Sequence, residues 1–212
     1  PTFKIEKMSS NVDGEIYLVG QGVQVGGCVI KIRPEGDIVF QKQIVPATSE
    51  TKLDKLIVYN TGELLVGGND TQNAFYALLR NDGTELSFNV DRGVVADIAN
   101  NPNNGDCIVS LYNPMVNQGK VVKMSRQGRK LYEKMTGANY SALRINVNGD
   151  VLMAAPRTGR LSMLSNYGEL LFDRFVVENN PQPFAAAYLA TNGEALFVSA
   201  ENRLAKLAHG IY

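Results

Sequence analysis

The chain has one histidine, no tryptophan, two cysteines and no excess of either charge. Each scarcity removes a class of chemistry. A closed zinc site needs four ligands, and a single His with two Cys at unlike positions does not supply them. Cys28 and Cys107 therefore read as buried, inert thiols rather than as a disulfide or a metal site. Lys+Arg and Asp+Glu are both 21, so no field that would attract a polyanion is expected, and nucleic acid is not an expected partner. No stretch approaches the roughly 20 apolar residues of a membrane helix, so no membrane partner is expected either. The start Pro1-Thr2-Phe3-Lys4 has neither the basic opening nor the apolar run of a signal peptide. The expected location is cytoplasmic, or within an assembled particle. Nothing implies a cofactor.

What the chain has in quantity is glycine, at regular intervals. One series is Gly14, Gly62, Gly105, Gly149 and Gly193, spaced by 43 to 48 residues. An Asp, Asn or Thr precedes each, an acid follows, and then an apolar run begins, as in Asn148-Gly149-Asp150-Val151-Leu152-Met153. A polar–Gly turn feeding a β-rich run marks a hairpin. A second series, Gly36, Gly83, Gly128, Gly168 and Gly210, is interleaved at 40 to 47 residues. An apolar strand precedes each, and an alternating one follows in most copies, as in Leu131-Tyr132-Glu133-Lys134-Met135.

Each repeat therefore holds four strands, a to d, with the first glycine between a and b and the second between c and d. Strand a is expected over Leu53–Val58, Val94–Ile98, Ala142–Val147 and Phe184–Leu189. A four-stranded repeat of about 40–45 residues is the signature of a β-propeller rather than of a sandwich. The expected fold is all-β, a five-bladed β-propeller of four-stranded antiparallel blades in one domain, residues 1–212. The repeats run approximately over 1–44, 45–91, 92–136, 137–177 and 178–212.

The stretch Gly62-Glu63-Leu64-Leu65-Val66-Gly67-Gly68, followed by Ala77-Leu78-Leu79-Arg80-Asn81-Asp82-Gly83-Thr84-Glu85-Leu86-Ser87-Phe88, resembles the delta-60 type of propeller repeat. More generally the chain is similar to NHL and quinoprotein-type repeats. The resemblance implies fold, and it carries no catalytic residue across.

Ring closure has two readings. Phe3–Met8 is either the inner strand of blade one, leaving the last blade incomplete, or the outer strand of blade five. The first is favoured, because the second leaves blade one without an inner strand. In both cases an under-paired edge remains as a docking point for another chain.

Candidate ligand residues lie on the b–c loops: residues 21–27, 69–73, 113–119, 157–159 and 201–202. Asn69, Asp70, Asn73, Asn113, Asn117 and Arg157 are the selected set, polar but nearly uncharged, to be weighed against plain solvated loop tips. Asn100–Asp106 reads as a turn, since it lacks the carboxylates that calcium prefers. His209 falls in a c–d turn away from these loops, so no general base is assigned to it. Gly20-Gln21-Gly22 and Gly26-Gly27 lack the context of a phosphate loop and read as a flexible connection.

The expected function is a non-catalytic interaction or structural module in a larger assembly, a virion or phage particle being one that fits. A glycan-binding lectin is an alternative, weakened by the absent Trp and the unlike b–c loops. A propeller enzyme with a central pocket is another; Asp54, Asp97 and Arg144 are the only polar exceptions singled out on the inner strands.

Overall fold

The structure is a computed structural model that describes residues 3–22, 26–45 and 51–175, together with the backbone of three further strands within 184–207. Every regular element among them is a strand, and none is a helix long and apolar enough to cross a membrane. Sheet one holds β1 (Phe3–Ser10), β2 (Ile16–Gly22), β3 (Gly26–Ile32) and β4 (Ile38–Val45). Sheet two holds β5 (Lys52–Val58), β6 (Leu64–Asn69), β7 (Asn73–Leu79) and β8 (Glu85–Arg92). Sheet three holds β9 (Val94–Asn100), β10 (Cys107–Asn113), β11 (Gln118–Met124) and β12 (Lys130–Thr136). Sheet four holds β13 (Ala142–Ile145), β14 (Val151–Ala155), β15 (Arg160–Leu164) and β16 (Leu170–Phe175). In sheet five the described strands are β17 (Phe184–Leu189), β18 (Ala195–Ser199) and β19 (Leu204–Leu207). All neighbours pair antiparallel in chain order, and the architecture is that of a β-propeller.

Phe3–Met8 lies within β1, which pairs with β2, so this segment is the inner strand of sheet one. Strand β13 stops at Ile145, two residues short of the expected end, because Asn146 already accepts from the turn glycine Gly149. His209 and the segment after Leu207 lie outside the described residues, as does the 201–202 loop.

Strands b and c are buried along almost their whole length, as in β7 and β3, whereas the outer strands alternate. A sheet covered on both faces needs continuous apolar runs, and an outer strand that meets water does not. The core consequently lies between sheets. Tyr17, Val19 and Val29 of sheet one cluster with Leu64, Val66 and Phe75 of sheet two. Leu65 and Tyr76 cluster with Val109 and Leu111 of sheet three, and Ile108 and Val121 with Met153 of sheet four.

The c–d glycines serve this packing as well as their turns. Gly83 and Gly168 have φ of 83° and 84°, a region that strains other residues. A Cβ on Gly83 would also lie 3.2 Å from the Phe40 ring of sheet one, and one on Gly168 would lie 3.0 Å from the Tyr132 ring of sheet three.

Sheet one differs from its neighbours on one side. Ile5 and Met8 are 53% and 65% exposed. The residues at their register positions in β5 and β9 are Leu53, Leu56, Val95 and Ile98, and none exceeds 8% exposure. Those four pack against the preceding sheet.

Candidate functional site

The polar chemistry divides between two rims and the inner strands. On the rim of a–b and c–d turns, the acid after the first glycine does more than shape its turn. Lys31 of β3 is buried, lies 2.8 Å from Glu15, and donates to the Asn81 side chain from the next sheet. Its ammonium sits 5.4 Å from the Tyr17 ring centre. Lys123 of β11 repeats the arrangement two sheets later: 3.6 Å from Asp106, donating to Asn166, and 5.9 Å from the Tyr132 ring centre. Between them, sheet two has Leu78 at the lysine position. There Arg126 reaches back from sheet three, its Nε and Nη2 donating to Glu63 at 3.1 and 2.7 Å. Glu15, Glu63 and Asp106 are thus each satisfied by a cation from their own strand c or from the next sheet's turn, whereas Asp150 in sheet four accepts from Asn146 and the Asn166 N–H. These lysines interrupt apolar strands five residues before Gly36 and Gly128, a signal visible in the sequence but not singled out there.

The hydrogen bond from Lys31 holds the Glu15 carboxyl below its usual value, against the opposing effect of burial. A lowered folded-state pKa stabilises the protein above the unfolded carboxylate pKa, about 4.3. That contribution disappears as pH falls through the lowered value. Glu15→Gln is expected to flatten the loss of stability below about pH 4. Urea unfolding of both proteins across the acid range measures it, and parallel curves would disprove the linkage.

The thiols are chemically quiet. Neither forms a disulfide, both are buried, and burial pushes Cys107 up to about 12 and Cys28 upward as well.

On the opposite rim, the selected residues are largely committed to their own loops. Asp70 Oδ1 accepts the backbone N–H of Gln72 at 2.7 Å and of Asn73 at 2.6 Å, and Asn69 donates to the Asp70 carbonyl at 3.2 Å. Asn113 Oδ1 accepts the Met115 N–H at 3.0 Å. Asn117 has φ of 51° and accepts from the Tyr112 hydroxyl at 2.7 Å. Arg157 is exposed, with no hydrogen bond or ion pair to a described residue. The structure does not gather the six; Asn69, Asp70 and Asn73 share one turn, while Asn113 and Asn117 share another. The expected 21–27 loop is shorter than foreseen, since β2 runs to Gly22 and β3 starts at Gly26. Gly27 is there for close packing, as a Cβ would lie 2.9 Å from Leu53 Cγ.

Asn113 does line a groove of about 220 Å³ between sheets two and three, with Leu111, Val116, Gln118 and Met135. Asp91, Arg92, Lys120 and Glu133 are its charged lining, and Lys120 pairs with Asp91 and lies 3.4 Å from Glu133. Tyr76 donates to Asp91 at 3.0 Å, and Lys130 pairs with Glu133 at 2.6 Å. Met115 (91% exposed), Val116 and Met135 (63%) leave this region unusually apolar for a loop rim. The sequence reading missed them because it sought hydrogen-bonding residues there. A cavity of about 450 Å³ lies on the other rim beside Arg126, Glu63, Arg80 and Asp82. Its Arg126 is already committed to Glu63.

No protein-family model matches the sequence, and no curated protein matches it significantly. Solved structures similar to the chain include Kluyvelomyces marxianus Hsv2, at 14% identity over 92% of this chain and 57% of that one, with a TM-score of 0.63. A protein of unknown function from Bacteroides caccae aligns at 15% identity over 90% of this chain and 72% of its own, with a TM-score of 0.52. Virginiamycin B lyase from Staphylococcus aureus aligns at 10% identity, covering 94% of this chain and 68% of that one, with a TM-score of 0.59. At such identities these likenesses support the β-propeller fold and say nothing of activity.

Proposed function

We propose that this chain is a non-catalytic β-propeller module that binds a protein partner within a larger assembly, a virion or phage particle being one such assembly. The observation that carries the reading is the exposed apolar set Met115, Val116 and Met135 around the groove between sheets two and three. Exposed large apolar side chains that cluster beside a concavity are typical of interaction surfaces. Asp91, Lys120 and Glu133 are paired among themselves and Arg92 donates to Gln72, so the anchor that suits the groove is an apolar side chain flanked by polar groups. The candidate loop residues Asn113, Asn117 and Gln118 then form the hydrogen-bonding rim of that contact. Asn69, Asp70, Asn73 and Arg157 belong to the same face in this reading.

The test compares the wild type with Met115→Asp/Met135→Asp, two changes at exposed positions that leave the thermal midpoint unchanged. Partner retention from the native source is expected to fall at least about tenfold, the loss of one anchor pocket. Hydrogen-exchange protection by that partner should centre on 111–118 and 133–135. Equal retention by the variant, or protection confined to other surfaces, would reject the groove. Turnover of a substrate at an inner-strand site would reject the non-catalytic reading.

A further inference from the structure

The chain is neutral overall, but its innermost strands are not. β1, β5 and β13 carry Lys4, Lys7, Lys52, Lys55 and Arg144, while the acids of β1, β5 and β9 are Glu6, Asp54 and Asp97. Successive inner strands contact one another, so these charges lie on adjoining strands. Register aligns three of them at one level: Lys7 opposite Val19, Lys55 opposite Gly67 and Asp97 opposite Ser110. At the same level sheet four has alanine, Ala142. Arg144 follows two residues after Ala142, opposite Leu152.

The pairing is uneven. Lys4 is bound to Glu6 at 2.6 Å, and Asp54 is shared by Lys52 and Lys55 at 3.3 Å each. Arg144 is exposed, and among the described residues it spends one of its five N–H donors, Nη1 on the Leu143 carbonyl at 2.6 Å. Lys7 is exposed and has no ion pair among the described residues. Asp97 accepts the Leu143 N–H at 2.8 Å, between Lys55 on one side and Arg144 on the other.

We propose that the inner strands form a binding site for a small multivalent oxyanion, carboxylate or phosphate in kind, with Lys55, Arg144 and Lys7 as its donors. Asp97 is the internal carboxylate that partly neutralises these cations when the site is free. It is a positioning and tuning group, and it does not touch the ligand. Desolvation raises its pKa, ahead of the opposing hydrogen bonds from backbone N–H groups and the attraction of Arg144 and Lys55. The charged groups that face it are Lys55 and Asp54 from β5 and Arg144 from β13; β6, β7 and β10 carry no Asp, Glu, Lys, Arg or His. As pH falls through the raised value, Asp97 loses its charge and the net positive charge of the site increases.

Calorimetric titration with sulfate tests this cleanly, because sulfate stays a dianion from pH 4 to 7. The expected result is saturable binding at low salt that tightens as pH falls, with Lys55→Met and Arg144→Met each weakening it about tenfold, the worth of one charge-assisted hydrogen bond. Asp97→Asn should bind more tightly at pH 7 and lose most of the pH dependence. Pyrophosphate and citrate, titrated in parallel, distinguish a phosphate site from a carboxylate site by which binds more tightly. Absence of saturable binding for all three anions overturns the proposal, as does binding unchanged in both methionine variants when each retains the wild-type unfolding midpoint. The site shares no residue with the groove of Met115 and Met135, so either reading can fail while the other stands.

Discussion

Replacing Gly68 by alanine is expected to remove a large share of the folding free energy. Gly68 pairs with Leu53, immediately beside the β-bulge that leaves Asp54 without a pairing partner. A Cβ at Gly68 would lie 2.0 Å from the Lys52 carbonyl oxygen and 2.7 Å from Leu53 Cα. Both are backbone atoms and cannot rotate away. β5 must therefore retreat, and Leu53, fully buried between sheets one and two, goes with it. Such overpacking costs about 3 kcal/mol or more, against a total of about 5–15 kcal/mol for a domain. The neighbouring Gly67→Ala is the control. Its Cβ would meet the Val95 side chain at 3.1 Å, a contact that rotation relieves. Urea unfolding should show a large loss for Gly68→Ala and a small one for Gly67→Ala. Equal effects would mean that the close approach at the bulge is not what requires glycine. The same argument covers Gly20, whose Cβ would lie 1.9 Å from the Lys4 carbonyl.

The second large effect is expected at Lys123. Its side chain is 1% exposed, and its ammonium serves Asp106, the Asn166 side chain and, at 3.1 Å, the Asn166 carbonyl. Lys123→Met leaves a half-buried carboxylate and two acceptors without their donor. Breaking such a pair costs about 3 kcal/mol at the low end of buried ion pairs, a fall of roughly 6–12 °C in Tm for a chain this long. Methionine itself suits the position, since Met163 occupies it in sheet four and Leu78 in sheet two. Adding Asp106→Asn should therefore recover much of the loss, because the stranded charge is gone. Arg126→Met at the sheet two–three junction should cost only about 1 kcal/mol, because that pair is partly exposed and screened. A Lys123 effect no larger than the Arg126 effect would show that burial does not govern these contacts.

The two predictions bear on how the sheets choose their neighbours. Lysine in strand c of sheets one and three answers an asparagine turn in sheets two and four, and arginine covers the intervening junction. A face of this kind is engaged in holding adjacent sheets together. The b–c loop rim, with Met115, Val116 and Met135, and the inner strands are the surfaces proposed for other molecules.

Much of this architecture was legible in the sequence because glycine and apolar periodicity are local signals. The two glycine series mark turns wherever they occur; strand direction and order followed from them, and they favoured without deciding the inner position of Phe3–Met8. The site was much less legible. Asp70, Asn113 and Asn117 look like ligand groups in a list of loop residues, yet their acceptors are taken by their own turns. Conversely, Glu15, Glu63 and Asp106 look like turn residues, yet each is bonded to a cation more than a dozen residues away. By itself the sequence determined a repeated four-stranded unit with its turns and buried strands. Only the tertiary structure decided which sheet each charge answers, why Gly68 tolerates no side chain, and which apolar residues remain exposed. Those outcomes depend on distances between sheets, and a one-dimensional pattern records spacing along the chain but not approach across it.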